Sequence, residues 1–211
     1  MTTAAAMTYD SLVEDIKTYA ERNDAPFVDQ IPRFIMMAEN RLASSLRGLG
    51  MLKIVSGTLL PSQSTYQKPV RWRETASFSI MVGTQRQYLF ERGYEYCRTY
   101  WPNPNDTGVP KYYANYDYEH FFLAATPDLA YNFELSYYER PQPLDTVTQT
   151  NWVTRYCPQL LLYGALLEAQ PFLKLPERIA EFKGFYDEAV KNFQQESQRR
   201  AIDQANLRTE A

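Results

Sequence analysis

Apolar residues recur at helical spacing at both ends of the chain, and a two-residue alternation fills the middle. Leu12, Ile16 and Tyr19 predict a first helix over Tyr9–Arg22, capped by Thr8 or Asp10. Asn23 to Pro26 is a turn. A second helix is predicted over Asp29–Arg47, with Pro32 tolerated in its first turn. Its apolar face is Ile31, Ile35, Ala38 and Leu42, and Gly48 and Gly50 end it. So short a connection makes the two helices antiparallel neighbours.

From Met51 the period changes. Val70, Trp72, Ala76, Phe78, Ile80 and Val82 alternate with polar residues, which predicts a strand with one wet face and a turn at Gly83-Thr84. Tyr94, Cys97 and Trp101 mark a short helix that Pro102 and Pro104 stop. Tyr112, Tyr116, Tyr118, His120 and Phe122 then alternate with Asn115, Asp117 and Glu119. Tyr131, Phe133, Leu135 and Tyr137 repeat the pattern beyond Thr126-Pro127-Asp128. These two runs predict an antiparallel hairpin. Pro141 and Pro143 close the strand-like region.

The closing helical region runs from Asn151 through Leu161, Ala165, Leu166 and Ala169 to Leu173. It is apolar nearly all round, which demands burial on almost every side. A last helix starts near Leu175, with Ile179, Phe182, Tyr186, Ala189 and Phe193 as its seam. Past Phe193 the seam stops although helix-forming residues continue, so this end is predicted to fray unless a partner orders it. The pattern as a whole is α+β. The N- and C-terminal helices form one antiparallel bundle, because neither pair has enough core alone, and an antiparallel β-rich module is inserted into it. The segments are 1–50 and 151–193 for the bundle, 51–150 for the insertion and 194–211 for a polar tail.

Composition sharpens this picture in one respect. Many of the seventeen Tyr and eleven Phe fall within the insertion, and Tyr suits surfaces that are dry on one side and wet on the other. A net charge of −3 supplies no basic domain for gripping nucleic acid. Cys97 and Cys157 have no disulfide or metal spacing and read as buried thiols made in a reducing cytoplasm. The N-terminus, Met1 to Ala6, lacks a signal-peptide pattern, and no segment has the length of a membrane span.

No reactive constellation emerges. His120, the single histidine, lies on the apolar side of a strand pattern with no nucleophile signature near it, so it reads as structural. Asp117 and Glu119 could form a carboxylate pair but read as the wet side of a sheet. The eight glycines build no phosphate loop. No cofactor or metal is implied. Arg71 and Arg73 flank Trp72 but point to the opposite sheet face, which favours a packed Trp and exposed arginines over a stacking platform. A nucleic-acid module using the aromatic sheet is the alternative from another class, and a hydrolase with a hidden carboxylate pair is a third. Assembly surfaces are the reading the pattern favours. Tyr112, Tyr116 and Tyr118 on one face, with Arg71 and Arg73 on another, are candidates for a subunit or tail interface.

Several groups of residues carry a family resemblance. They are Tyr9, Leu12 and Ile16; Phe34-Ile35, Ala38-Glu39 and Arg41-Leu42; Tyr100-Trp101-Pro102; Gly108-x-Pro110-Lys111-Tyr112-Tyr113-Ala114; Leu135-x-Tyr137-Tyr138; Asn151-Trp152; and Leu161 through Leu173. This layout resembles the head-to-tail adaptor proteins (connector, or tail-tube A type) of short-tailed bacteriophages. The resemblance implies a non-enzymatic virion protein at the head–tail junction. It also implies a dodecameric homo-oligomeric ring beneath the portal protein, a nozzle or tail-fibre protein docked on it, and DNA passing through the channel without specific binding. Related adaptors raise a C-terminal segment to the portal, which makes Arg199, Arg200, Ile202 and Leu207 candidate portal-docking residues.

Overall fold

The computed structural model describes residues 6–45, 51–174 and 176–207, with backbone alone at 45, 176, 177 and 200–207. Gly48 and Gly50, the first residues at the N-terminus and Leu175 lie outside the described residues. The chain divides into two compact units, Leu52–Arg140 and the segments on either side of it, Met1–Met51 with Pro141–Ala211. The segment from Pro141 to Thr150 thus belongs to the helical unit.

The helical unit opens with α1 (Tyr9–Ala20), where Thr8 and Ser11 form a reciprocal capping box. Tyr9, Leu12, Ile16 and Ala20 are its buried positions, whereas Tyr19, expected in the stripe, faces solvent. The helix ends where Glu21 enters the left-handed region, two residues before the predicted stop. The expected turn contains a single helical turn, α2 (Ala25–Val28), and its Phe27 is fully buried. The second long helix, α3 (Ile31–Ser45), buries Ile31, Phe34, Ile35, Ala38 and Leu42. After the strand-rich unit come α5 (Trp152–Tyr156), α6 (Pro158–Leu173) and α7 (Pro176–Leu207). Leu160, Leu161, Ala165, Leu166 and Ala169 of α6 are buried, and α6 packs on α1, α3, α5 and α7. Gly164 lets α3 and α7 come close. A Cβ there would lie 3.2 Å from that of Ala38 and 3.4 Å from the Tyr186 ring. The backbone stays helical through Leu207, past the end of the seam at Phe193. Gln, Glu, Arg and Ala favour a helix, and no Gly or Pro interrupts them, so propensity extends the helix where packing does not.

The second unit contains β1 (Leu52–Leu59), β2 (Thr65–Gln67), β3 (Trp72–Val82), β4 (Gln85–Glu91), α4 (Tyr94–Tyr100), β5 (Thr107–Gly108), β6 (Tyr112–Asn115), β7 (His120–Ala124), β8 (Thr126–Pro127) and β9 (Tyr131–Glu139). One sheet takes the order β1-β9-β3-β4-β6-β7-β2, antiparallel except for the β4–β6 pair. One core draws Leu59, Phe78, Leu89, Tyr113, Phe121 and Leu135 from six of these strands, so the sheet curls around it, and a smaller cluster joins Cys97 of α4 to Ala114, Phe122 and Ala124. Gly83 takes φ 62° in the two-residue turn between β3 and β4, the conformation such hairpins need. The predicted hairpin between the Tyr112–Phe122 and Tyr131–Tyr137 runs does not form. β7 pairs with β6 and β2, while β9 lies between β1 and β3. Alternation identifies a strand's faces but not its neighbour, and non-local pairing won here. Two further expectations fail locally. Val70 is 79% exposed, and two bulges in β3 reset its alternation before Phe78.

Candidate functional site

The residues that carry the family resemblance meet across long sequence separations. Glu39 on α3 is buried and accepts hydrogen bonds from the Leu144 backbone N–H (3.2 Å) and from Asn151 Nδ2 (2.9 Å). Asn151 in turn caps α5 by accepting from the N–H groups of Val153 and Thr154. Burial pushes the Glu39 carboxyl up to about 7, even though both hydrogen bonds favour its ionised form. Arg41, two residues after Glu39 on α3, donates its Nε to Glu168 of α6 at 2.7 Å. In the other unit Trp101 donates its indole N–H to the Asp106 carbonyl, and its ring lies 3.3 Å from where a Cβ on Gly108 would sit. These motif residues are framework residues. They tie α3 to the returning chain and fold the loop after α4.

Surface aromatics concentrate around α4, β6 and the β6–β7 turn. Tyr112 is half-buried, with Tyr100 and Tyr96 edge-on at 4.8 and 5.5 Å. Arg92 lies over both Tyr96 and Tyr112, and Lys111 over Tyr112. Tyr116 is exposed beside Tyr94 at 5.1 Å. Tyr118 is 93% exposed and touches none of this group. The turn that carries it is braced. Asp117 Oδ1 accepts from the N–H groups of Glu119 (2.7 Å) and His120 (2.6 Å), and its other oxygen lies 3.0 Å from His120 Nδ1. His120 therefore has a turn-holding role. Tyr116, Tyr118, Asp117 and Glu119 belong to the turn and not to one strand face.

The proposed arginine face is largely occupied by the unit itself. Arg71, at φ 61°, donates to Glu139 at 2.6 Å, and Arg73 is half-buried and engaged. Tyr96 and Arg92 were not singled out in the sequence, and Tyr100 only as part of Tyr100-Trp101-Pro102, although the three-four spacing of Tyr94, Cys97 and Trp101 places Tyr96 and Tyr100 on the outer side of α4. Of the candidate portal-docking residues, Arg199 is exposed on α7. The side chains of Arg200, Ile202 and Leu207 lie outside the described residues.

One further feature had no sequence signal. The end strands β1 and β2 do not pair with each other, and a cavity of about 320 Å³ opens between them, lined by Val55, Leu59, Tyr66, Lys68, Val70 and Phe133 among others. Lys68 is only 7% exposed. Its ammonium lies 3.9 Å from the Trp72 ring centre and donates to the Asp117 carbonyl at 2.6 Å. Burial lowers its pKa, against the pull of Asp117 and Glu91. Burial pushes both thiols up, Cys157 to about 12, so neither is primed as a nucleophile. Among the described residues no cluster of His, Cys, Asp and Glu is suited to a metal ion, and no helix is long and apolar enough to cross a membrane.

The molecule therefore presents a braced framework and aromatic surfaces. A search of curated proteins returns no match. The family model of the SU10 adaptor protein matches residues 7–209, spanning both units. The chain belongs to the SU10 adaptor protein family, a family of structural phage adaptors of the head–tail junction.

Proposed function

We propose that the chain is a virion structural protein that assembles into a homo-oligomeric ring between portal and tail and extends the DNA channel. The observation that carries this is the family match, which takes in nearly the whole chain and both of its units. In this reading α1, α3, α6 and α7 form an antiparallel bundle and the strand-rich unit is an insertion into it. The ring is dodecameric, as in the short-tailed phage adaptors that the sequence resembles. The C-terminal half of α7, with Arg199, Arg200, Ile202 and Leu207, docks on the portal through charge-assisted hydrogen bonds to portal carboxylates. The aromatic surfaces of the insertion, including Tyr112 and Tyr116, face neighbouring subunits or the nozzle or fibre protein. DNA passes through without specific binding, in keeping with a net charge of −3.

Mass and symmetry of the protein, alone and mixed with a purified portal ring, test this reading. A ring of dodecameric mass seated on the portal is the expected result. A chain that stays monomeric and unattached in both conditions overturns it.

A further inference from the structure

The strand-rich unit carries a surface on which cations and aromatic rings interleave. Phe90 of β4 and Tyr112 of β6 are register partners, and both face away from the core that takes Leu89 and Tyr113. Phe90 is 54% exposed, and Tyr96 and Tyr100 of α4 extend the surface from the Tyr112 ring. Two exposed cations, Arg92 and Lys111, each lie 5.7 Å from the centre of that ring. Among the described residues neither forms an ion pair with a carboxylate. Glu91 is held by Tyr113 and Asn115, and Glu95 lies about 100° round α4 from Tyr96. Tyr96 and Tyr112 share their faces with the Arg92 guanidinium, which favours carboxylates over stacked bases as the counterpart.

The helical unit displays an aromatic group with carboxylates on both sides of it. The seam of α7 buries Phe182 and Tyr186, while Phe185 stays 42% exposed beside Tyr163 of α6 at 5.3 Å. Glu181 and Glu188, four residues before Phe185 and three after, share its side of the helix and are exposed. Among the described residues neither glutamate is in an ion pair. Arg178, one turn before Glu181, is taken by Glu21, and Lys183 lies about 160° round the helix from Phe185. The two glutamates are about 10 Å apart along the axis. Arg92 and Lys111 can stand no farther apart than twice their 5.7 Å from the Tyr112 centre, so the two spacings are compatible.

We propose that the stripe of Glu181, Phe185 and Glu188 on one copy docks on the surface of Arg92, Tyr112 and Lys111 on a second copy. Phe185 meets the aromatic rings and the glutamates meet the two cations. Stripe and surface belong to different units, so each copy offers one of each and the pairing repeats from copy to copy. Like charge opposes the wrong pairings, surface on surface and stripe on stripe. This inference rests on the self-assembly proposed above and names the contact that drives it.

The test uses the full chain and follows self-association by sedimentation, with and without the portal ring. One variant carries Arg92→Glu with Lys111→Glu and the other Glu181→Lys with Glu188→Lys, all at exposed positions. Each alone is expected to associate about tenfold or more weakly than the wild type. An equimolar mixture of the two is expected to recover assembly, because alternating copies then meet with opposite charges at every contact. A folding defect, or a contact within one chain, gives no such recovery. Either variant assembling alone with the wild-type constant, or a mixture that stays dissociated, overturns the contact and leaves the ring reading standing. So does a surface-reversed variant that assembles normally but loses its hold on the nozzle or fibre protein or on an oligothymidine strand, since the surface then serves that partner. If the wild type fails to self-associate in either condition, the ring reading fails and takes this contact with it.

Discussion

Glu39 shows how one residue is set by its surroundings. It sits on the buried side of α3, where its carboxyl meets the Leu144 N–H and Asn151 and little else that is polar. Desolvation outweighs these two donors and raises its pKa from 4.5 to about 7, with Asp145 adding a smaller push in the same direction. The unfolded chain releases this proton near 4.5, whereas the folded protein keeps it until about 7. Folding stability therefore declines as pH rises through that window and levels off above it. Urea unfolding of the wild type at a series of pH values is expected to show this slope. Glu39→Gln, which cannot ionise, should lose it, and an unchanged slope in the variant would place the titration elsewhere.

At the scale of elements, α6 is the most deeply packed helix and α7 the most divided. Leu166 is fully buried in α6, so Leu166→Ala leaves a cavity and costs about 2–5 kcal/mol in chemical denaturation. A cost near that of a surface substitution would mean that the site collapses around the gap. In α7, Phe182 and Tyr186 are buried and Phe193 still meets Trp152 at 5.7 Å, but Gln194, Gln195 and Glu196 are exposed. The described side chains just beyond Phe193 thus contribute little to the unit's own core. Truncation after Phe193 is expected to leave the thermal midpoint within a few degrees of wild type while weakening attachment to a portal ring. Equal attachment by the shortened chain would remove this segment from the docking role.

At the scale of the molecule, aromatic surface is concentrated in the strand-rich unit, which has more of it than its own core uses. Phe78, Tyr113, Phe121 and Phe133 pack inside, and Tyr96, Tyr100, Tyr116 and Tyr118 remain outside. Exposed aromatic clusters of this kind mark interaction surfaces. Deleting residues 52–140 is expected to abolish ring formation or tail attachment, read by sedimentation and by tail-protein pull-down with purified components. Unchanged assembly after that deletion would assign both functions to the helical unit alone.

The long helices, the change of period at Met51, the Gly83 turn and the burial of α6 were legible in the sequence because each follows from local rules: capping chemistry, glycine geometry and the spacing of apolar residues. The family resemblance was legible for a related reason. Glu39, Arg41, Asn151 and Trp101 sit at fixed offsets within their own elements, although their partners lie far along the chain. Strand order was not legible, since the alternation that makes β9 a strand is the same whether β7 or β3 lies beside it. Neither was the burial of Lys68, which depends on Trp72 and Phe121 arriving from two other strands. The β1–β2 seam belongs to tertiary structure alone, because a gap in a sheet is a property of which strands fail to meet, and no single stretch of chain encodes that.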